Sequence, residues 1–220
     1  RSWSAYAGTA DLPGIIEIGE AVHQSIAWLF TNSVDNRSIS NLIQVYESCI
    51  QSESPRPEVE LVMWGEEILR RFFKGRFETE SSSTVATESE VAMHLTTSTT
   101  LVGRLDRLSI TPAGEMEVTE FKLHETRRGS RPRIPDLLQP AAYAAAEMEK
   151  NKRSRIFAEL YFIDENISER ILLTENGARA VKLALSRWIE SLKAKGLEAN
   201  PGVHCRRCSY RGTCPYSLAA

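Results

Sequence analysis

Hydrophobic residues recur every three to four positions through the first part of the chain, a spacing typical of amphipathic helices. Residues 15–30 show this spacing most clearly. A second helix follows Ser38 or Ser40, either of which can cap its first turn, and a third begins at Pro57. The pattern therefore predicts a helical N-terminal part that covers residues 1–77.

From Val85 onward the pattern favours β-strands, because Val, Thr and Leu are frequent and turn-forming residues separate the runs. Three successive runs predict an antiparallel meander, and two more strands follow after a helix that opens at Pro135. A last long helix ends at Gly196, with Trp188 expected on its inward face. The predicted elements are strands at 85–95, 100–110, 116–123, 156–163 and 169–173, and helices at 135–148 and 175–195.

These elements predict an α/β fold in which helices flank a mixed β-sheet. The 220 residues are 42% hydrophobic and 25% charged, the balance of an ordinary globular protein, and their number suits one domain. We expect that single domain, residues 1–220, to consist of the helical part at 1–77, a catalytic α/β core at 78–199 and a cysteine-bearing tail at 200–220.

The formal net charge of −2 excludes a strongly basic coat for nucleic acid but leaves room for a local basic patch. No apolar run reaches the ~18–20 residues that a membrane-spanning helix needs. The first residues also lack the basic and apolar regions of a signal peptide. We therefore expect a cytoplasmic protein with no membrane partner. Since the chain does not start with Met, it can be a segment of a longer protein.

Charged residues interrupt the second and third strands of the meander. Side chains alternate along a strand, so Glu120 and Lys122 point to one face and Phe121 to the other. Asp106, on the neighbouring strand, can lie beside Glu120. Two close carboxylates favour a bound divalent cation, and a lysine beside them can orient a water molecule and offset charge on phosphate. Taken alone, this short pattern also fits solvent-facing charges on an exposed sheet.

Two helices carry residues that can complete such a site. His23 follows Gly19 by four positions on the first helix, where it is either a packed histidine or a third metal ligand. Gln139 and Tyr143 lie four positions apart on one helical face and can hydrogen-bond phosphate or order the lysine. The alternative for this pair is an ordinary helix surface with a buried tyrosine.

Three of the four cysteines lie in the last sixteen residues, at Cys205, Cys208 and Cys214, a spacing typical of metal binding. Three thiolates do not close a tetrahedral zinc site or a cubane cluster, which need four ligands. The remaining cysteine, Cys49, lies on the apolar face of a predicted helix, as a core thiol or as a ligand.

Four arginines occur within seven residues directly after the third strand, in a segment whose Gly and Pro residues favour a loop. This loop can clamp phosphates, or it can be a solvated run of charge. The candidate DNA-binding residues here are Arg127, Arg128, Arg131 and Arg133.

In their order along the chain, these motifs resemble those of PD-(D/E)XK nucleases of the RecB-like and Cas4-like branch. The resemblance implies a restriction-endonuclease-like fold. The matching residues are Gly19 and His23 of Gly-x-x-x-His, Gly103, Asp106 and Arg107 of Gly-x-x-Asp-Arg, Glu120 and Lys122 of Asp/Glu-x-Lys, Gln139 and Tyr143 of Gln-x-x-x-Tyr, and Cys205, Cys208, Cys214 and Pro215 of Cys-x2-Cys-x5-Cys-Pro.

The resemblance further implies a Mg²⁺- or Mn²⁺-dependent DNA nuclease. Such an enzyme would be an exonuclease on single-stranded DNA ends, in CRISPR adaptation or in recombination and repair. The implied metal ligands are His23, Asp106 and Glu120, with the backbone carbonyl of Phe121. The implied catalytic lysine is Lys122.

The resemblance also places Gln139 and Tyr143 near the DNA. For the tail it implies a [4Fe-4S] cluster held by Cys205, Cys208 and Cys214, and Zn²⁺ is the alternative cofactor. In the family the first cluster cysteine precedes the Gly-x-x-x-His helix, but here no cysteine does. Either the fourth ligand lies upstream of Arg1, or Cys49 replaces it, or the cluster is incomplete.

Two other functions stay open on the sequence. One is a nuclease module of a helicase–nuclease or of an integrase complex, whose main role is DNA binding and assembly. The other is a zinc-stabilised DNA-binding protein with a vestigial site.

Overall fold

A computed structural model describes residues 14–51, 57–123, 134–196, 201–202, 205 and 210–216. Five α-helices and five strands make up most of the regular structure of these residues, with one 3-10 helical turn at Val34–Asn36 and one π-helical turn at Phe73–Phe77. The helices are α1 (Ile15–Thr31), α2 (Ile39–Gln51), α3 (Val59–Phe72), α4 (Ile134–Lys150) and α5 (Glu175–Lys195). The strands are β1 (Ser83–Thr96), β2 (Thr99–Ile110), β3 (Met116–Lys122), β4 (Arg155–Phe162) and β5 (Ile167–Thr174). Every helix and strand predicted from the pattern is present, with small shifts at the ends.

The five strands form one mixed sheet whose spatial order follows the chain, β1-β2-β3-β4-β5. All neighbours are antiparallel except β3 and β4, which are parallel. A parallel pair needs a crossover between its strands, and α4 supplies it and packs against β4, β3 and β1. The predicted mixed α/β fold of the restriction-endonuclease-like type is therefore confirmed.

Helices α1, α2 and α3 bury their apolar faces against one another and against the sheet. Phe121 of β3 and Tyr161 of β4 belong to the same buried cluster as Phe30 of α1 and Phe72 of α3. The two rings of Phe30 and Phe121 stack at a centroid distance of 6.4 Å, and Phe72 meets Phe121 edge-on at 5.7 Å. The helical part thus fixes β3, the strand that carries the predicted catalytic residues.

A group of paired charges, the arginine–glutamate network, lies within and beside the same sheet. Arg76 makes two hydrogen bonds to the buried carboxylate of Glu159, at 2.8 and 3.1 Å. Arg107, which is fully buried, donates to Glu80 at 2.8 Å, and its guanidinium lies 4.0 Å from the centroid of the Phe30 ring. The network consists of Arg76, Glu80, Arg107, Glu117, Glu159 and Arg170.

The chain divides into two compact units, residues 1–182 and 183–220, with the division inside α5. In the second unit Leu185 is buried, but Trp188 is 60% exposed, so the inward position predicted for Trp188 is wrong. The Cys205 and Cys214 backbone N–H groups donate to Gly202 and Tyr210, at 2.9 and 2.7 Å. None of the helices in the described ranges combines the length and apolarity needed to cross a bilayer.

Candidate active site

Residues from four elements of the first unit converge on one place. His23 comes from α1, Asp106 from β2, Glu120 and Lys122 from β3, and Gln139 from α4. Hydrogen bonds or an ion pair connect each of them to at least one of the others. The structure therefore brings together five residues that are as far as 116 positions apart in the chain.

The sheet register explains how the carboxylates meet. Arg107 pairs with Thr119 across β2 and β3, so the next step of that register sets Asp106 opposite Glu120. Strand alternation then puts the neighbouring residues on the other face. Phe121 is accordingly buried in the aromatic cluster, and Lys122 returns to the face of Glu120.

Asp106 is held from two sides. Its Oδ2 accepts a 2.7 Å hydrogen bond from the backbone N–H of Phe121, and its Oδ1 lies 3.5 Å from His23 Nδ1. Burial by itself lowers the pKa of His23, but the hydrogen bond and the charge of Asp106 outweigh it and raise that pKa above its ordinary value. The His23 imidazole therefore interacts with the negative charge of Asp106, which a bound cation would neutralise.

Glu120 is 3% exposed and has one satisfied and one unsatisfied oxygen. Oε1 accepts hydrogen bonds from Lys122 Nζ at 2.9 Å and from Gln139 Nε2 at 2.5 Å. Oε2 is buried and has no hydrogen-bond partner within the described part of the chain. Burial and the neighbouring charge of Asp106 raise the pKa of Glu120 to about 7, although Lys122 opposes the shift.

Lys122 is oriented by two acceptors, since its Nζ donates to Glu120 and, at 3.0 Å, to Gln139 Oε1. Gln139 Nε2 also lies 3.4 Å from the hydroxyl of Tyr143, one helical turn further along α4. A Cβ added to Gly103 would lie 2.5 Å from the Tyr143 hydroxyl oxygen, so only glycine lets this ring approach β2. The glycine, the glutamine and the tyrosine of the sequence motifs are thus parts of one packed arrangement.

Glu88 of β1 is a residue that the motifs did not identify. Its carboxylate, His23 and Asp106 each offer a ligand atom, and these atoms all lie within 4.8 Å of one another. The pairs Thr87–Arg107 and Ser89–Leu105 flank Glu88 and set it opposite Asp106. Its backbone adopts a left-handed φ of 47°, rare for a glutamate inside a strand. Only a cross-strand register, which the sequence does not supply, would have revealed it.

Several predicted residues lie elsewhere or outside the described ranges. The four arginines at 127, 128, 131 and 133 and the tail residue Cys208 fall in segments that the structure does not describe. Cys49 is half-buried against the helical core, and its thiol is 3.4 Å from Gln24 Oε1. The identity of the fourth cluster ligand accordingly stays a prediction.

The donor set fits a hard divalent cation. Carboxylate oxygens with one imidazole nitrogen suit Mg²⁺ or Mn²⁺. Lys122 contributes one positive charge, which cannot balance the charges of both Asp106 and Glu120. The orphaned Oε2 of Glu120 is the kind of atom that a cation would satisfy. The site therefore combines a set of donors that fits a divalent cation with an oriented lysine.

The chain is similar to two solved structures. The structure of SSO0001 matches with 17% identity and a TM-score of 0.43, over 92% of this chain and 86% of that one. The structure of a presumed exonuclease from Eubacterium rectale matches with 14% identity and a TM-score of 0.48, over 92% of this chain and 77% of that one. No curated protein sequence matches significantly. The sequence profile described as the PD-(D/E)XK nuclease superfamily matches residues 7–215, and the chain belongs to that superfamily.

Proposed function

We propose that this chain is a divalent-metal-dependent DNA nuclease that removes nucleotides from single-stranded ends. The observation that carries the proposal is the convergence of His23, Asp106 and Glu120 on one place beside an oriented Lys122. The exonuclease mode and the single-strand preference come from the motif order, which resembles the RecB-like and Cas4-like branch. DNA is the substrate class that membership of the superfamily implies.

In this proposal His23, Asp106, Glu120 and the carbonyl of Phe121 hold Mg²⁺ or Mn²⁺. A bound cation supplies Lewis-acid polarisation of the scissile phosphate and lowers the pKa of a coordinated water. Asp106 is kept in place by the Phe121 N–H, so that its second oxygen stays available as a ligand.

Lys122 has the role of orienting the attacking water and balancing charge on the phosphate. Its two acceptors, Glu120 and Gln139, fix the ammonium group before the substrate arrives, which is the preorganisation that electrostatic catalysis requires. Gln139 and Tyr143 lie beside this lysine and are proposed to contact the DNA. The arginines at 127, 128, 131 and 133 are proposed to bind phosphates of the DNA.

The test compares end-labelled linear DNA with circular single-stranded DNA, in Mn²⁺ and in chelator. We expect release of mononucleotides or short fragments from linear single strands, and resistance of the circle. Cleavage of the circle would replace the exonuclease mode by an endonuclease mode. A Lys122→Ala protein that cleaves as fast as the parent would refute the catalytic assignment, and Lys74→Ala, at an exposed lysine of the π-helical turn, is the matched lysine control.

We further propose that Cys205, Cys208 and Cys214 hold a [4Fe-4S] cluster, with Zn²⁺ as the alternative occupant. The spacing of three thiolates before a proline supports it. Metal analysis and a visible spectrum of anaerobically purified protein separate the two, because a broad band near 400 nm marks iron–sulfur and colourless protein with one zinc marks the alternative. A Cys49→Ser variant tests whether Cys49 is the fourth ligand, since loss of the band would support that role.

The biological setting follows from the same resemblance: CRISPR adaptation, or recombination and repair. An integrase complex or a helicase is the partner proposed for each setting. Co-purification of tagged chain with such a partner would support a module role, and a fully active monomer with no partner affinity would oppose it.

A further inference from the structure

Glu88 has two competing sets of neighbours. Its Oε2 is 2.9 Å from Arg104 Nε, in an ion pair across β1 and β2. The same carboxylate contributes to the group with His23 and Asp106, whose ligand atoms lie within 4.8 Å. The side chain of Glu88 is 27% exposed, whereas that of Arg104 is 69% exposed. The arginine is therefore the partner that solvent or a ligand can reach.

Arg104 borders an open groove of ≈ 890 Å³ that is lined by β1, β2 and the end of α4. The exposed side chain of Val102 and the amine of Lys150 also line this groove. A guanidinium beside such a groove suits a phosphate, which it can bind with two parallel hydrogen bonds. A phosphate bound to Arg104 would compete directly with the Glu88 carboxylate.

The charges beside this ion pair are not balanced. Glu88, Asp106 and Glu120 occupy facing positions on three adjacent strands, and Glu120 Oε2 is buried without a partner among the residues that the structure describes. Lys122 and Arg104 together offset two of the three negative charges. When all three carboxylates are ionised and Arg104 has turned away, a net charge of −2 remains, which a divalent cation matches.

We propose that Glu88 is a metal ligand that Arg104 withholds until DNA arrives. In the DNA-free protein Arg104 neutralises Glu88. A backbone phosphate in the groove then pairs with Arg104 and releases Glu88 toward His23 and Asp106. This inference rests on the proposed nuclease function, because it takes DNA as the ligand of the groove.

The consequence is coupling between DNA and metal binding. DNA should tighten cation binding, and by thermodynamic reciprocity the cation should tighten DNA binding by the same factor. Typical couplings of this kind are about 5- to 150-fold in affinity.

The experiment measures Mn²⁺ affinity of the whole chain by calorimetry and by electron paramagnetic resonance, with and without a short phosphorothioate oligothymidylate. For the parent we expect the oligonucleotide to tighten Mn²⁺ binding at least about fivefold. Arg104→Gln should bind Mn²⁺ more tightly than the parent without DNA and gain little more with it. Glu88→Gln should bind Mn²⁺ roughly tenfold more weakly and show no coupling.

A matched control is available in the same sheet. Glu115 and Arg155 form an ion pair of 2.7 Å with nearly the same exposures, 24% and 61%, at a distance from the site. Glu115→Gln and Arg155→Gln should leave Mn²⁺ affinity and its coupling to DNA unchanged. The two site variants are expected to move the affinity in opposite directions, which partial unfolding cannot imitate.

Parent-like Mn²⁺ binding by Glu88→Gln, or weaker DNA-free binding by Arg104→Gln, would overturn the inference. If DNA is cleaved but Glu88→Gln binds Mn²⁺ like the parent, the inference fails and the proposed function stands. If Mn²⁺ binding depends on Glu88 and Arg104 but no DNA is cleaved, the proposed nuclease function fails instead.

Discussion

The sheet contains two groups of acidic residues that are neutralised to different degrees. In the arginine–glutamate network each carboxylate has a guanidinium, as in the two hydrogen bonds from Arg76 to Glu159. At the candidate site Glu88, Asp106 and Glu120 occupy facing positions on adjacent strands, and one buried oxygen of Glu120 has no partner in the described ranges. Removing one partner of a balanced buried pair leaves an uncompensated charge and destabilises the fold, whereas unbalanced charges favour a ligand of opposite charge.

The largest effect is expected from a substitution in the unbalanced group of acidic residues at the candidate site. Asp106→Asn removes a charged ligand but keeps an oxygen that can accept the Phe121 N–H. We expect cleavage to fall by about 10³-fold or more, because charge stabilisation of the phosphate depends on the bound cation. Initial rates on end-labelled single-stranded DNA measure it. Parent-like rates would remove Asp106 from the site.

The same variant separates function from stability. Asp106→Asn relieves repulsion with Glu120, so its thermal unfolding midpoint in chelator should equal or exceed that of the parent. A large drop in the midpoint would mean that the residue is structural, and that the activity loss reflects unfolding.

The second largest effect is expected from a substitution in the arginine–glutamate network. Arg107 is fully buried, and Arg107→Met leaves the Glu80 carboxylate without its main partner. We expect the free energy of unfolding in urea to fall by ~3–5 kcal/mol. Arg155→Met, at an exposed pair in the same sheet, should cost about 1 kcal/mol or less. Equal losses in the two variants would contradict the contrast between a network and a surface pair.

A third measurement tests which of the two groups of acidic residues is needed for stabilisation by Mn²⁺. Mn²⁺ at about 100 times its dissociation constant should stabilise the parent by roughly 2.7 kcal/mol. Among folded variants, Arg155→Met should retain this increment and the double variant Asp106→Asn, Glu120→Gln should lose it. Thermal unfolding with and without Mn²⁺ measures this stabilisation in each variant. Stabilisation that persists in the double variant would mean that the cation binds elsewhere.

The smallest expected effect is the pH dependence of the metal-free protein. The pKa of Glu120 is raised to about 7 from an ordinary 4.5 by burial and by Asp106, while Lys122 and His23 oppose the shift. The folded state therefore binds the proton more tightly, and this contribution to stability is lost as the pH rises from about 4.5 through 7.

Urea unfolding in chelator at about pH 5 and pH 8 measures this loss. Glu120→Gln should show a shallower decline than the parent. The raised pKa of His23 adds a loss of the same sign at higher pH, so the variant should keep a residual slope. An unchanged slope in Glu120→Gln would mean that the carboxylate is ionised throughout.

Local patterns predicted most of the fold correctly. Hydrophobic spacing and turn residues depend on a few neighbouring positions, which is why all ten helices and strands were found in order. The same reasoning failed for Trp188, because spacing alone cannot tell which apolar side chains of α5 find something to pack against. The sequence motifs also named Glu120, Lys122 and Gln139, which the structure joins by hydrogen bonds, and the catalytic roles of these residues stay predictions.

The sequence by itself determined the elements, the superfamily motifs and the alternation that separates Phe121 from Glu120 and Lys122. Tertiary structure alone decided that Glu88 lies opposite Asp106 and that Arg104 forms an ion pair with Glu88. It also decided that Arg107, the arginine of the Gly-x-x-Asp-Arg motif, belongs to the arginine–glutamate network and not to the candidate site. The reason is physical: strand register and charge pairing arise from contacts between distant residues, and a shift of one position would exchange the two faces of the sheet.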